Sequence, residues 1–321
     1  MAEHGHARGD GHAHAHHHGM VDPAVVATDR GIWAVKRSLI IMGVTGLLQL
    51  GVVAISGSVA LLADSIHNVS DALTAIPLWF AFHLARRKPS SRFGYGYGRV
   101  EDLAGVAVVV AILASAAVAG YESIQRLLAP QQVQALGFVA AASVLGFLGN
   151  EIVARLRMRV GREIGSAALV ADGQHARADA LTSLAVLLGA AGVWLGYPLA
   201  DPVIGLLIAA AIVKIAWDSG RPILGRLLDE MDPDLVHSMM HETSHVTGVS
   251  EVTGIRARWV GHRMNADVSF AVPPEASVES AHTVSVAVQQ RLKQRWPQLT
   301  LVTTQVIPAN SNTKCPTQAK P

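Results

Sequence analysis

Six stretches of the chain, at about 38–57, 58–84, 102–123, 136–156, 166–194 and 197–217, are apolar over roughly the 20 residues that a helix needs to cross a bilayer core. Lipid offers no hydrogen bonds to a bare backbone, so such segments are restricted to helices, whose amides and carbonyls satisfy one another internally. Half of the residues are hydrophobic and only 16% are charged, against about 25% in soluble domains. An ordinary cytosolic fold is excluded. The formal net charge of +2 is too small to suggest nucleic-acid binding. The expected fold is an α-helical membrane protein with six transmembrane helices.

Short connecting loops set the orientation. Arg86, Arg87, Lys88, Arg92 and Arg99 fall between the second and third stretches, and Arg155, Arg157, Arg159 and Arg162 between the fourth and fifth. The three loops on the other side hold only Arg126. Basic loops stay on the cytoplasmic side. This places both chain ends in the cytoplasm and the protein in the cytoplasmic (inner) membrane.

Beyond about residue 218 the long apolar runs give way to alternation and charge. A helical pattern covers 232–246, strand-like alternation covers 251–259 and 264–271, a second helix fits 277–295, and a strand fits 299–307. The order αββαβ predicts a small α+β domain. The expected division is a His-rich, disordered cytoplasmic tail over 1–34, a transmembrane domain over 35–218, a cytoplasmic α+β domain over 219–309 and a disordered tail over 310–321. The first tail carries His4, His6, His12, His14, His16, His17 and His18, a composition that binds metal weakly or stays inert. Cys315 is the sole cysteine, which excludes a disulfide framework and a thiolate zinc site within one chain.

Two of the apolar stretches share the pattern Ala-Asp-x-x-His-x-x-x-Asp-Ala-Leu-Thr, at 63–74 and again at 171–182. Residues four apart share a helix face, so His67 pairs with Asp71 and His175 with Asp179. Ionisable groups at membrane depth cost roughly 2.5–3.5 kcal/mol each, and mark functional sites. Two imidazoles and two carboxylates form a tetrahedral donor set acceptable to zinc, and the two negative charges offset a divalent cation. Bound imidazole must be neutral, so metal and protons compete for it. Asp64 and Asp172, one turn earlier, are candidate ligands or outer-layer hydrogen-bonding partners of the site. Asn68, Glu101, Asp102, Asn150 and Glu151 are further polar groups near the membrane, explained equally by helix-end or interhelical hydrogen bonds and by a cation path.

Histidines recur outside the spans. His237, His241 and His245 form a stripe on the helix at 232–246, either a cytosolic metal contact or a solvated face. His262 and His282 stand singly and read as structural.

With the run at 58–71, the Phe-Gly-Tyr-Gly-Tyr-Gly-Arg-Val-Glu loop at 93–101, the second His/Asp motif and Ala281-His282, the chain resembles the cation diffusion facilitator family of divalent-metal/proton antiporters, over about 35–308. The resemblance implies a ferredoxin-like cytoplasmic domain, a homodimer and alternating access to a site built from the second and fifth helices. Carried across, that site is His67, Asp71, His175 and Asp179, and His67 in place of Asp resembles the zinc-preferring branch. Some members hold cytoplasmic metal where this chain has Gln305-Val306-Ile307, Phe93 and Tyr97; only His282 matches such a position.

The expected function is efflux of a divalent transition metal, foremost Zn2+, against protons, with the metal as transported substrate, no prosthetic group and no enzymatic activity. Cd2+, Co2+, Ni2+, Fe2+ or Mn2+ in its place is one alternative, because ligand identity ranks these ions poorly. A non-transporting metal-sensing subunit is another. The His-Glu-x-x-His run at 241–245 lies outside the apolar spans and Gly-x-Ser-x-Gly is missing, which speaks against an intramembrane metalloenzyme.

Overall fold

The computed structural model describes residues 23–56, 75–128, 136–197 and 199–309. Its helical part comprises α1 (Pro23–Ser56), α2 (Ala75–Ala85), α3 (Arg99–Leu128), α4 (Leu136–Ile164), α5 (Ala167–Trp194) and α6 (Ala200–Leu227). All but α2 are long and apolar enough to cross a membrane. The sixth span, expected over 58–84, is described only in its last part, where α2 is an apolar helix of 11 residues. α1 starts inside the stretch expected to be tail, and α6 runs on past the boundary expected at 218. Both ends carry charges, Asp29 and Arg30 in α1 and Arg221 and Arg226 in α6, and hydropathy loses a helix at charge even where its hydrogen bonds continue.

The helices are apolar inside and outside. Ile40, Leu47, Val110, Leu207 and Trp217 face outward, as lipid contact requires. Inside, one cluster joins Val35 of α1, Leu78 and Phe82 of α2, Ala104 of α3, Val160 of α4 and Leu169 of α5. A second joins Ile112 of α3, Ala178 of α5 and Ile212 of α6. Because lipid is as apolar as leucine, close packing rather than the hydrophobic effect must hold these helices, and small residues permit it. At Gly173 of α5 a Cβ would stand 2.7 Å from Met158 Cγ and 2.9 Å from the Met158 amide nitrogen; at Gly161 of α4 it would meet the Val170 amide nitrogen at 2.8 Å. The two helices therefore touch backbone to backbone. Gly165, at φ 74°, ends α4, and Ser166 caps α5 by accepting from the Leu169 amide at 3.1 Å.

The C-terminal part is α7 (Pro233–Ser244), β1 (Glu251–Val260), β2 (Arg263–Val272), α8 (Val278–Arg295) and β3 (Leu299–Pro308), the expected αββαβ order. Asp232 and Ser277 cap the two helices. The sheet order is β1-β2-β3, with β1 and β2 antiparallel and β2 and β3 parallel. Met264, Ala266, Val268 and Phe270 alternate along β2 and are buried with Met239 of α7 and Val288 and Leu292 of α8. Period-2 alternation on a central strand buries one face under the helices.

This domain is docked by the tip of its β1–β2 hairpin. His262, 2% exposed, donates from Nδ1 to Glu101 Oε2 at 2.6 Å, and the Thr28 hydroxyl lies 3.0 Å from its Nε2. The Gly261 amide donates to Asp102 Oδ2 at 3.0 Å. Arg226 donates to the carbonyls of Gly165 (2.8 Å) and Gly261 (3.1 Å) while its guanidinium lies 4.5 Å from the Trp259 ring centroid. Arg99 pairs with Asp229 and donates to the Arg226 carbonyl at 3.0 Å. Glu101, Asp102 and His262 are thus structural polar groups whose partners come from the other domain.

Candidate functional site

α5 carries the second copy of the repeated motif, and its face toward the bundle is buried from Ala168 through Ala180 with few interruptions. His175 and Asp179 sit there, 2% and 7% exposed, with Nε2 and Oδ2 4.0 Å apart. Two donors on a tetrahedral zinc, each at 2.0–2.2 Å, stand about 3.4 Å from one another. The observed pair is about 0.6 Å wider, a gap that small side-chain rotations close. Their i, i+4 spacing dictates the pairing, and burial holds both away from bulk water. His67, Asp71, Asp64 and Asn68 lie outside the described residues.

Asp172 is fully buried, and its Oδ2 lies 3.0 Å from Nη1 of Arg157, itself 1% exposed. Nη2 of the same guanidinium lies 3.7 Å from Met42 Sδ on α1. Arg157 therefore belongs to the interior of α4, not to a basic loop as its neighbours suggest. Arg155, Arg159 and Arg162 are exposed, and on a helix positions 155, 159 and 162 share a face from which 157 points away. That periodicity is the signal that distinguishes it. Arg177, between the two candidate ligands, reaches Glu151 of α4 with Nη2 to Oε1 at 3.0 Å and Nε to Oε2 at 3.4 Å. Glu151 is thereby engaged by Arg177 and also by Arg155 at 2.8 Å.

The cytosolic candidates are not brought together. His237, His241, His245 and His282 are exposed. His245 turns its Nδ1 onto the His241 carbonyl at 2.8 Å, finishing α7, and the two rings stack with centroids 4.3 Å apart. Among the described residues no three His, Cys, Asp or Glu side chains converge on a common point.

Fold and site together define a polytopic helical membrane protein with a buried imidazole–carboxylate pair in its bundle and a small α+β domain docked at one end. Residues 35–228 match the cation efflux transmembrane domain and residues 231–309 the cation efflux protein cytoplasmic domain. The chain is 48% identical over 300 residues to a probable cation efflux system protein of Mycobacterium tuberculosis, covering 94% of this chain and 90% of that one. It is 26% identical over 266 residues to the magnetosome protein MamB of Magnetospirillum gryphiswaldense, covering 83% and 88%. Among solved structures, a copper form of the MamM C-terminal domain is 28% identical, with TM-score 0.23, covering 24% of this chain and 74% of that one. The chain belongs to the cation efflux (cation diffusion facilitator) family, and is a membrane transporter.

Proposed function

We propose that the protein exports a divalent transition-metal cation, foremost zinc, in exchange for protons, through one mid-membrane site made of His67, Asp71, His175 and Asp179. The observation that carries this reading is the buried His175–Asp179 pair at 4.0 Å, on a helix whose motif recurs at identical spacing around His67 and Asp71. An ion of charge +2 among two imidazoles and two carboxylates is neutral as a unit, which removes most of the cost of holding it in lipid. Imidazole donors in place of further carboxylates favour zinc over the harder manganese or magnesium, with cadmium the nearest competitor. His67 replaces a third carboxylate, so H67D is expected to broaden selectivity. A proton arriving from the far side displaces the metal from imidazole and supplies the driving force.

The transporter works as a homodimer in the cytoplasmic membrane with both termini inside. Support for the dimer comes from the match of 231–309 to the family's cytoplasmic domain, and for the orientation from the basic residues between α2 and α3 and the exposed Arg155, Arg159 and Arg162 over the last turns of α4. Zinc uptake into inverted vesicles, with and without an imposed pH gradient and with membrane potential clamped, tests the mechanism. Uptake that rises with the inward-acid gradient supports antiport; flux indifferent to the gradient replaces it with passive facilitation, and no flux with binding retained leaves a metal-sensing subunit.

A further inference from the structure

We propose that Arg157 is a positioning residue for the metal site: it takes Asp172 out of the ligand set and so fixes the charge that the ion meets on α5. This rests on the reading of His175 and Asp179 as metal ligands.

Asp172 precedes His175 by three residues, a rise of about 4.5 Å and an offset of about 60° around the helix, so its carboxylate neighbours the site. Left free, it would be a rival ligand. It would also add a hard oxygen and a second negative charge to α5, where Asp179 already supplies one. Arg157 prevents this by pairing with it at 3.0 Å inside the bundle, both side chains being at most 1% exposed. The guanidinium is always charged and its planar fork suits a carboxylate, whereas a lysine at this depth readily loses its proton. Met42 Sδ, a weak acceptor, is the neighbour on its other arm, so Asp172 is the charged group that holds it. The placement is built into the backbone: Gly161 and Gly173 let α4 and α5 approach closely near the pair. The described half-site is therefore one imidazole, one ligating carboxylate and one cancelled ion pair.

The test exploits a sign. Breaking the pair from its two ends leaves opposite charges behind. In the full-length protein in nanodiscs at pH 7.5, R157Q releases the carboxylate and is expected to tighten Mn2+ binding and narrow the Zn2+-to-Mn2+ affinity ratio at least tenfold. D172N strands the guanidinium and is expected to weaken both ions at least tenfold. R157Q/D172N removes both charges and is expected to bind both ions within threefold of the unmodified protein. A purely structural pair would shift both single variants in the same direction; that result, or no shift in either folded variant, overturns the proposal. Should a single variant fail to fold, the other single and the double carry the same criteria, and a double variant more than tenfold from the unmodified protein overturns it alone. D179A separates the two claims. If D179A binds Zn2+ as tightly as the unmodified protein, the site itself is misassigned, whatever Arg157 does.

Discussion

Glu101 and His262 are 161 positions apart in the chain, yet Oε2 of one and Nδ1 of the other lie 2.6 Å apart with both side chains 1% exposed. One residue opens a membrane helix and the other tips a hairpin of the α+β domain, so this contact, out of sight of solvent, is one of those that join the two parts. The second ring nitrogen meets Thr28 of α1, and the ring packs on Phe82 of α2 with centroids 5.9 Å apart. Three helices and the hairpin thus converge on one imidazole.

Removing that imidazole leaves a buried carboxylate short of its partner. Loss of one side of such a pair costs on the order of 2–4 kcal/mol. His262→Ala is expected to lower the thermal midpoint in detergent and to expose the connection near Leu228 to protease, while Glu101→Gln, which keeps an acceptor oxygen for the ring, is expected to lose less. Limited proteolysis of both variants checks the order; equal resistance in all three proteins would disconnect the contact from docking.

Asp179→Asn keeps the size of the side chain and removes its charge. Zinc flux in proteoliposomes is expected to fall to background, with the elution profile on size exclusion unchanged, because a neutral amide is a poor ligand and leaves the ion uncompensated. Flux at the unmodified rate would remove Asp179 from the pathway.

Gly173→Ala pits two effects against each other. Helix propensity favours Ala by up to about 1 kcal/mol. Against it, the new methyl would stand 2.9 Å from a backbone nitrogen and 3.1 Å from the Ala154 carbonyl oxygen, neither of which moves unless the helix does. Overpacking of that kind costs about 1–3 kcal/mol, so the sum is expected to be destabilising. Thermal unfolding in nanodiscs decides; a raised midpoint would mean that α4 and α5 have slack.

Zinc affinity is expected to fall with pH. Only neutral imidazole binds metal, so affinity is expected to drop as protons compete for the histidine ligands at lower pH. Each imidazole that must lose a proton on binding adds a slope of about one to the logarithm of the dissociation constant against pH. Isothermal titration across pH 5.5–8 measures the slope, and a flat profile would exclude histidine ligation.

The elements of the α+β domain end within a residue or two of where alternation and capping residues place them, because strand period and helix caps are written in neighbouring residues. α1 and α6 end further from expectation, since charge interrupts hydropathy without interrupting a helix. His175 and Asp179 were legible from their four-residue spacing and its repetition. Arg157 was not, because a run of arginines reads as a loop until the face of each is considered. His262 was legible only as a single histidine: its partners, Thr28 and Glu101, come from distant segments, and no local pattern announces them.

Arg226 has a mechanical consequence. It grips the turn between α4 and α5 at Gly165 and the hairpin tip at Gly261 with one guanidinium nitrogen. That turn is the foot of α5, and His175 rides ten residues above it, about 15 Å along the helix axis. A tilt of about 10° pivoting there would sweep the imidazole sideways by about 2.6 Å, more than the length of a zinc–nitrogen bond of about 2.0 Å. The α+β domain thus holds the fulcrum of a lever whose far arm carries His175 and Asp179, and a few degrees at the foot displace that pair by about 1 Å.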